Sequence, residues 1–355
     1  MSEIWIGTYP KAGLGTPVGT GEGLWRARLS DDGVLTAVQV STQAAPSFVV
    51  RHPNLPLVYT IEESPASVMR VISTADATQL ARVAVGVESG CHLLLSADAR
   101  TLYVSAYGSG ELAVILLDAA GLPLDEAPQQ LWRHEGTGPN EERQEGPHAH
   151  FAGFSPDGAY VLVCDLGTDE IRRYRIGAEG LLGDAAIAAT LPPGAGPRHF
   201  AVRGDVLYVV CELDHQLRTL RWDREVGEAT LIAEAPLTLA PHRTGMRMYG
   251  AHVEVVERPI GDVLLVSVRG ADVLSVFDIA PEGELTYRCA LDVGEWPRHF
   301  AVVGDHLVVG AERGHEVRAY SLDAVLSLPP EPEVGALAAL ASASAPVVSP
   351  ACICP

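Results

Sequence analysis

Apolar residues in this chain gather into runs of roughly four to eight positions, bounded by Gly, Pro and Asp, and no long window carries a helical repeat. Three stretches show the pattern most fully. They are GPHAHFAGFSPDGAYVLVCDLGTDEIRRYRI from Gly146, GPRHFAVRGDVLYVVCELDHQLRTLRWD from Gly196 and WPRHFAVVGDHLVVGAERGHEVRAYSLD from Trp296. Each opens on Pro–His or Pro–Arg and runs into a short apolar strand. A Gly/Asp turn, a second apolar strand, a polar loop and a third, alternating strand follow. Weaker copies begin at Pro46, Gly90 and Gly250. The spacing of about 45 to 55 residues is that of a four-stranded propeller blade.

With strands lettered A to D from the channel outwards, the unit at Gly196 reads as His199–Val202, Val206–Glu212, Gln216–Trp222 and Ala229–Ala233. Six such units are visible and a seventh is split. The N-terminus supplies strands B (Ile4–Tyr9), C (Leu24–Leu29) and D (Leu35–Val40), but no A. The last unit supplies A (His299–Val303), B (His306–Glu312) and C (Glu316–Leu322). A Pro/Ala/Ser-rich segment, 327–348, follows. The expectation is an all-β, seven-bladed propeller of four-stranded antiparallel blades, forming one domain over 1–355. Val334–Leu340 is expected as the last D strand. Pro350–Cys354 is expected as strand A of the first blade, closing the ring and covering unpaired edges.

In such a blade the start of A and the end of B meet at one face of the disc. The starts of A carry Ser47, Cys91, His148, Arg198 and Arg298 at matching positions, followed by His92, His199, His252 and His299. The ends of B carry Glu62, Tyr107, Asp165, Glu212, Arg269 and Glu312. Strand alternation predicts that only one of each adjacent pair, such as Arg198 and His199, faces the channel. The partner of each pair is then structural, bonded to a neighbouring loop. Two long connections, Asp125–Gly146 and Pro236–Gly250, join D strands to the next A strand at the same face, where long structured loops often serve function.

Charge narrows the partners. The formal net charge is −20, so nucleic acid and anionic membranes are repelled and an anionic substrate needs a local basic pocket. Lys11 is the only lysine, which argues against Schiff-base chemistry and a P-loop. No secretory signal or spanning helix is read, and scattered cysteines suit reduced core thiols, so a cytoplasmic protein is expected. Cys352 and Cys354, or His148 and His150, are too few for a metal site. No cofactor is expected.

The same residues carry a family resemblance. IGTY at Ile6, PSFVVRHP at Pro46, GCHLLLSAD at Gly90, AYGSGEL at Ala106 and RQEGPHAHFAGFSPDG at Arg143 begin the series. DLGTD at Asp165, GPRHF at Gly196, CELD at Cys211, VRGAD at Val268, WPRHF at Trp296 and SPACI at Ser349 complete it. Nearly the whole chain resembles the lactonase family of seven-bladed propellers, which contains 6-phosphogluconolactonase and carboxy-cis,cis-muconate lactonizing enzymes. The resemblance implies His148, Arg198, Glu212 and Arg269 as catalytic residues, with His150, His199, Arg298 and His252 as substrate-binding support. It implies hydrolysis of a small anionic sugar lactone, with Arg198 and Arg269 or Arg298 holding the anion or oxyanion. His148 is then the preferred general base, because arginines depress a neighbouring glutamate. A muconate-type lactonizing or isomerising enzyme and a non-catalytic binding propeller are the alternatives. RMYGAHVEV, with His252 near an expected acid, and Cys211 in place of Asn depart from the family pattern.

Overall fold

A computed structural model describes residues 1–9, 23–241, 245–331, 337–338, 340 and 342–355. Its strands form seven sheets, each with the order A-B-C-D. Blade 1 combines Pro350–Cys354 with Ser2–Thr8, Trp25–Leu29 and Leu35–Gln39. Blade 2 runs Pro46–Arg51, Leu57–Glu62, Val68–Ser73, Gln79–Ala84, and blade 3 Gly90–Leu95, Thr101–Ala106, Glu111–Leu116, Gln130–Arg133. Blade 4 runs Ala149–Phe154, Tyr160–Asp165, Glu170–Ile176, Leu182–Thr190, and blade 5 Pro197–Arg203, Val206–Cys211, Gln216–Asp223, Glu228–Pro236. Blade 6 runs Tyr249–Val256, Val263–Arg269, Val273–Ile279, Leu285–Asp292, and blade 7 Pro297–Val303, His306–Ala311, Glu316–Ser321, Ala343–Pro346.

The ring closes as the sequence predicts: Pro350–Cys354 pairs antiparallel with Ser2–Thr8. The last D strand does not lie where expected. Part of Val334–Leu340 falls outside the described residues, and Leu337–Ala338 pairs in parallel with Leu285–Asp292 as a fifth strand on blade 6. Ala343–Pro346 takes the D position of blade 7. Ala, Ser and Pro make up more than half of 327–348, so little polar–apolar alternation is present to set its register.

The core lies between blades. Blades 2 and 3 bury Tyr59, Ile61, Met69, Leu102 and Val104 together, and blades 7 and 1 close over Ile4, Ile6, Val308 and Ile353. Strand B tyrosines tie neighbours together at a polar tip. Tyr59, Tyr103 and Tyr208 donate their hydroxyls to the carbonyls of Gly121, Gly180 and Gly283 in the next blade, at 2.9, 2.8 and 3.0 Å. All six cysteines are free and buried. No helix among the described residues is long and apolar enough to cross a membrane.

Candidate functional site

Every blade carries the same irregularity where strand A begins. In blade 5, Pro197 pairs with Cys211 and His199 with Val210, which leaves Arg198 as an extra residue. The same reading makes Ser47, Cys91, His150, Arg298 and Ala351 the extra residues of blades 2, 3, 4, 7 and 1. In blade 6 the shift spans Ala251 and His252. A bulge bends its strand and re-aims a side chain. Adjacent residues then escape strict alternation: Arg198 and His199 both line the channel, and so do Arg298 and His299. The expectation that one of each pair turns away is corrected by these bulges.

A second ring comes from strand B. In six blades one backbone N–H at its end donates to the carbonyl of the residue that precedes or leads into strand A. Its donors are Tyr9, Glu63, Tyr107, Leu166, Glu212 and Glu312, and their acceptors are Ser349, Ala45, Ser89, His148, Gly196 and Trp296. Arg269, paired with Tyr249, closes the ring in blade 6. Three expected positions therefore move. Leu166, rather than Asp165, holds the strand B place in blade 4. His150, rather than His148, is the counterpart of Arg198. Glu63, rather than Glu62, is the counterpart of Glu212. Glu62 instead pairs with Arg70 at 2.5 Å. Asp165 turns away from the channel to bond His134 at 2.6 Å, and His134 meets the Tyr174 hydroxyl at 2.8 Å. The other Asp165 oxygen accepts from the backbone of His148, so this buried chain anchors the Pro147–His148 entry.

The two rings open into a cavity of about 400 Å³. Tyr9, Glu63, Tyr107, Arg143, His150, Glu212, Tyr249, Arg269, Trp296 and Arg298 line it, with Glu142 and Glu145. Its size suits a small-molecule ligand. Of the residues singled out from sequence, Tyr107, Glu212, Arg269, His150 and Arg298 reach this wall. Arg198 and His199 line a smaller space beneath it. His148 and His252 line neither. The His148 ring stacks on Tyr107 at 4.2 Å, and its Nδ1 meets the Tyr107 carbonyl at 2.7 Å. Its Nε2 lies 3.4 Å from Glu145, which does reach the cavity.

Glu212 is the hub of the charged floor. Its Oε1 accepts from Arg143 at 2.7 Å, and its Oε2 accepts from Arg269 at 2.6 Å and lies 3.0 Å from Arg198 Nε. Burial pushes its carboxyl up, but Arg269, Arg143 and Arg198 outweigh burial and hold it well below the usual range. Arg198 is pushed down to about 9 by burial, Arg269 and Arg298, and so stays protonated at neutral pH. Across the floor, Arg298 donates to Glu312 at 3.2 Å and to the Tyr9 hydroxyl, and its guanidinium lies 4.0 Å from the Tyr9 ring centroid. Tyr9 in turn donates to Glu63 at 2.6 Å. The guanidinium of Arg269 also sits over Tyr249 and Trp296, at 5.5 and 5.7 Å from the ring centroids. Gly270, at φ +82°, lets the Arg247 backbone approach: a Cβ there would meet the Arg247 carbonyl at 2.2 Å.

Beneath the mouth the channel is filled by rings. His252 stacks on His299 at 3.9 Å, His199 and His252 meet through their Nδ1 atoms at 3.0 Å, and His92 packs between Phe48 and Phe151. Burial pushes His92, His199 and His252 well below the ordinary histidine value, and His299 down to about 3. His150 is lowered in the same way, by burial first and then by Arg198.

Arg143, Glu63, Tyr9, Tyr249 and Trp296 were not singled out from sequence. Arg143 lies in the long 125–146 connection, where no period marks it. Gln144 fixes that loop, donating to Leu166 and Asp169 at 2.9 and 2.8 Å from a fully buried position. Tyr9 and Glu63 had a legible signal: both follow strand B, as Glu212 does.

The fold and this mouth define a seven-bladed propeller that presents a charged, partly enclosed small-molecule cavity at one end of its channel. The chain belongs to the family described as lactonase, 7-bladed beta-propeller, whose model matches residues 3–351. It is 28% identical to the 6-phosphogluconolactonase of Bacillus subtilis, over 83% of this chain and 83% of that protein. It is 30% identical to an uncharacterized protein of Staphylococcus saprophyticus, over 87% and 88% of the two chains. Among solved structures it resembles a Pseudomonas aeruginosa periplasmic gluconolactonase with a TM-score of 0.80 at 24% identity, covering 99% and 98% of the two chains. That likeness extends to the fold.

Proposed function

We propose that this protein hydrolyses a sugar lactone, of the 6-phosphogluconolactone type, in the mouth cavity and in the cytoplasm. The observation that carries the reading is the convergence of Arg143, Arg198 and Arg269 on the single carboxylate of Glu212, with Arg298 alongside. Three guanidiniums on one buried carboxylate leave positive charge to spare. Fixed donors aimed at a developing oxyanion lower its barrier by about 3–4 kcal/mol each in known acyl-transfer sites. Arg269 and Arg143 present that charge to the cavity, while Arg198 supports it from below. His150, lining the wall as a neutral imidazole, offers a hydrogen bond to the sugar ring. His148 stacks on Tyr107 and approaches Glu145, so it supports the wall from behind and does not touch substrate as its base. Membership in the lactonase family supports the same reaction class.

The lining favours a second substrate. Three arginines face four glutamates on the wall, namely Glu63, Glu142, Glu145 and Glu212. That balance suits a neutral aldonolactone as well as a phosphorylated one. A pH-release assay on 6-phosphogluconolactone, unphosphorylated aldonolactones and a muconolactone tests the assignment. Turnover of either sugar lactone supports the hydrolase; preference for the phosphorylated one fixes the finer reading. No turnover of any lactone by folded protein overturns it.

A further inference from the structure

The cavity floor continues into a chamber of about 20 Å³, enough for one water molecule. Glu63, Tyr9, His150 and Arg298 line both spaces, so a molecule in the chamber touches the same groups as a ligand above it. Among the described residues, His150 Nδ1 has no hydrogen-bond partner, and the residue is only 7% exposed. Such a group is usually satisfied by bound water. Glu63 is also buried, with its backbone fixed to the Ala45 carbonyl at 2.9 Å. Its carboxylate accepts from Tyr9, whose hydroxyl accepts in turn from Arg298, so one oxygen is held and the group is oriented.

We infer that this chamber binds the hydrolytic water and that Glu63, positioned by Tyr9, takes its proton. This rests on the lactonase reading and assigns its base. A water O–H bond breaks as the proton passes to the Glu63 carboxylate, and the water oxygen bonds to the lactone carbonyl carbon. The carbonyl π pair moves to oxygen, where guanidiniums stabilise it. On collapse the ring C–O bond breaks, and Glu63 returns its proton to the departing alkoxide. Water and lactone give a hydroxy acid, whose ionisation releases the proton that the assay reads.

Glu212 cannot share this role easily, because it is already engaged by three arginines. Glu63 faces Tyr9, Ser47, Cys91, Arg198 and Arg298. Burial raises its carboxyl above the ordinary glutamate value, against the opposing pull of Arg298, Tyr9, Ser47 and Arg198. A raised carboxylate is the better base.

The test compares kcat/KM against pH for wild type, Glu63→Gln and Tyr9→Phe, each checked for folding by circular dichroism. Wild type should show an acid limb above the usual glutamate range. Glu63→Gln should lose at least a hundredfold in kcat and lose that limb. Tyr9→Phe should keep KM, lower kcat about tenfold and move the limb to higher pH, because a hydrogen bond that favours the carboxylate is gone. A high-resolution crystal structure should show an ordered water between Glu63 and His150 Nδ1. Active wild type with an equally active Glu63→Gln, or a chamber without water, overturns this inference alone. Wild type inactive on every lactone overturns the lactonase reading itself.

Discussion

At the mouth of the channel Glu212 is gripped by Arg143, Arg198 and Arg269, while one residue deeper His92, His199, His252 and His299 lie neutral against Phe48, Phe151 and Phe300. Arg198 and His199 are neighbours on one strand A, whereas Glu212 and Arg269 come from the ends of strands B and Arg143 from a loop. The upper layer keeps its charges because each has an opposite charge within hydrogen-bond reach. Among the described residues no carboxylate forms an ion pair with the lower layer's histidines, so burial removes the charge instead. Ionic groups on a rigid, neutral plug stay fixed in place, which is what preorganised binding of an oxyanion needs.

The largest expected effect comes from breaking the upper layer. Glu212→Ala leaves three guanidiniums facing one another, and urea unfolding should report a loss of about 3–5 kcal/mol. A loss below about 1 kcal/mol would mean that the arginines find other partners and that the hub is not the organising charge.

The lower layer should reveal itself in acid. Its histidines have native pKa values below the unfolded value of about 6.5. Below pH 6.5 the unfolded chain therefore binds more protons. Stability is complete above that pH and falls as pH drops towards 3, where His299 titrates, by about 1.4 kcal/mol per pH unit for each such histidine. His299→Phe should remove one unit of that slope, measured by urea unfolding between pH 6.5 and 4.5. An unchanged slope would show that the ring is charged in the native state.

Arg143 tests the rim. Its side chain is 30% exposed and belongs to a loop that Gln144 holds independently. Arg143→Ala should lower lactone kcat/KM about tenfold while changing stability by less than about 1 kcal/mol, as expected of a partly solvated ion pair. Equal losses in both would make Arg143 a structural residue.

The propeller was legible because strand period and turn residues repeat, and the closing strand because SPACI supplies a missing apolar A strand. The mouth was legible to within a residue or two. Matching the repeats by sequence placed His148 and Glu62 where the structure has His150 and Glu63, and the residue that the bulge adds to strand A brings Arg198 and His199 to the same space, against strict alternation. No local pattern announces a bulge at Pro197 or Pro297, since the following residues remain ordinary strand formers. Only the spacing between the two strands, seen once they pair, reveals the extra residue. Arg143 and Ala343–Pro346 were missed for a different reason: a loop and an Ala/Ser/Pro stretch carry no period to read.

The most direct measurement sets one layer against the other in the same assay. Lactone hydrolysis would be followed by pH release for Arg269→Gln in the mouth and Phe151→Leu in the plug. Arg269→Gln should lose at least a hundredfold in kcat/KM, the cost of removing one oxyanion donor. Phe151→Leu should keep turnover within severalfold while lowering Tm. Full activity in Arg269→Gln, with the protein folded, would contradict the assignment of chemistry to the mouth.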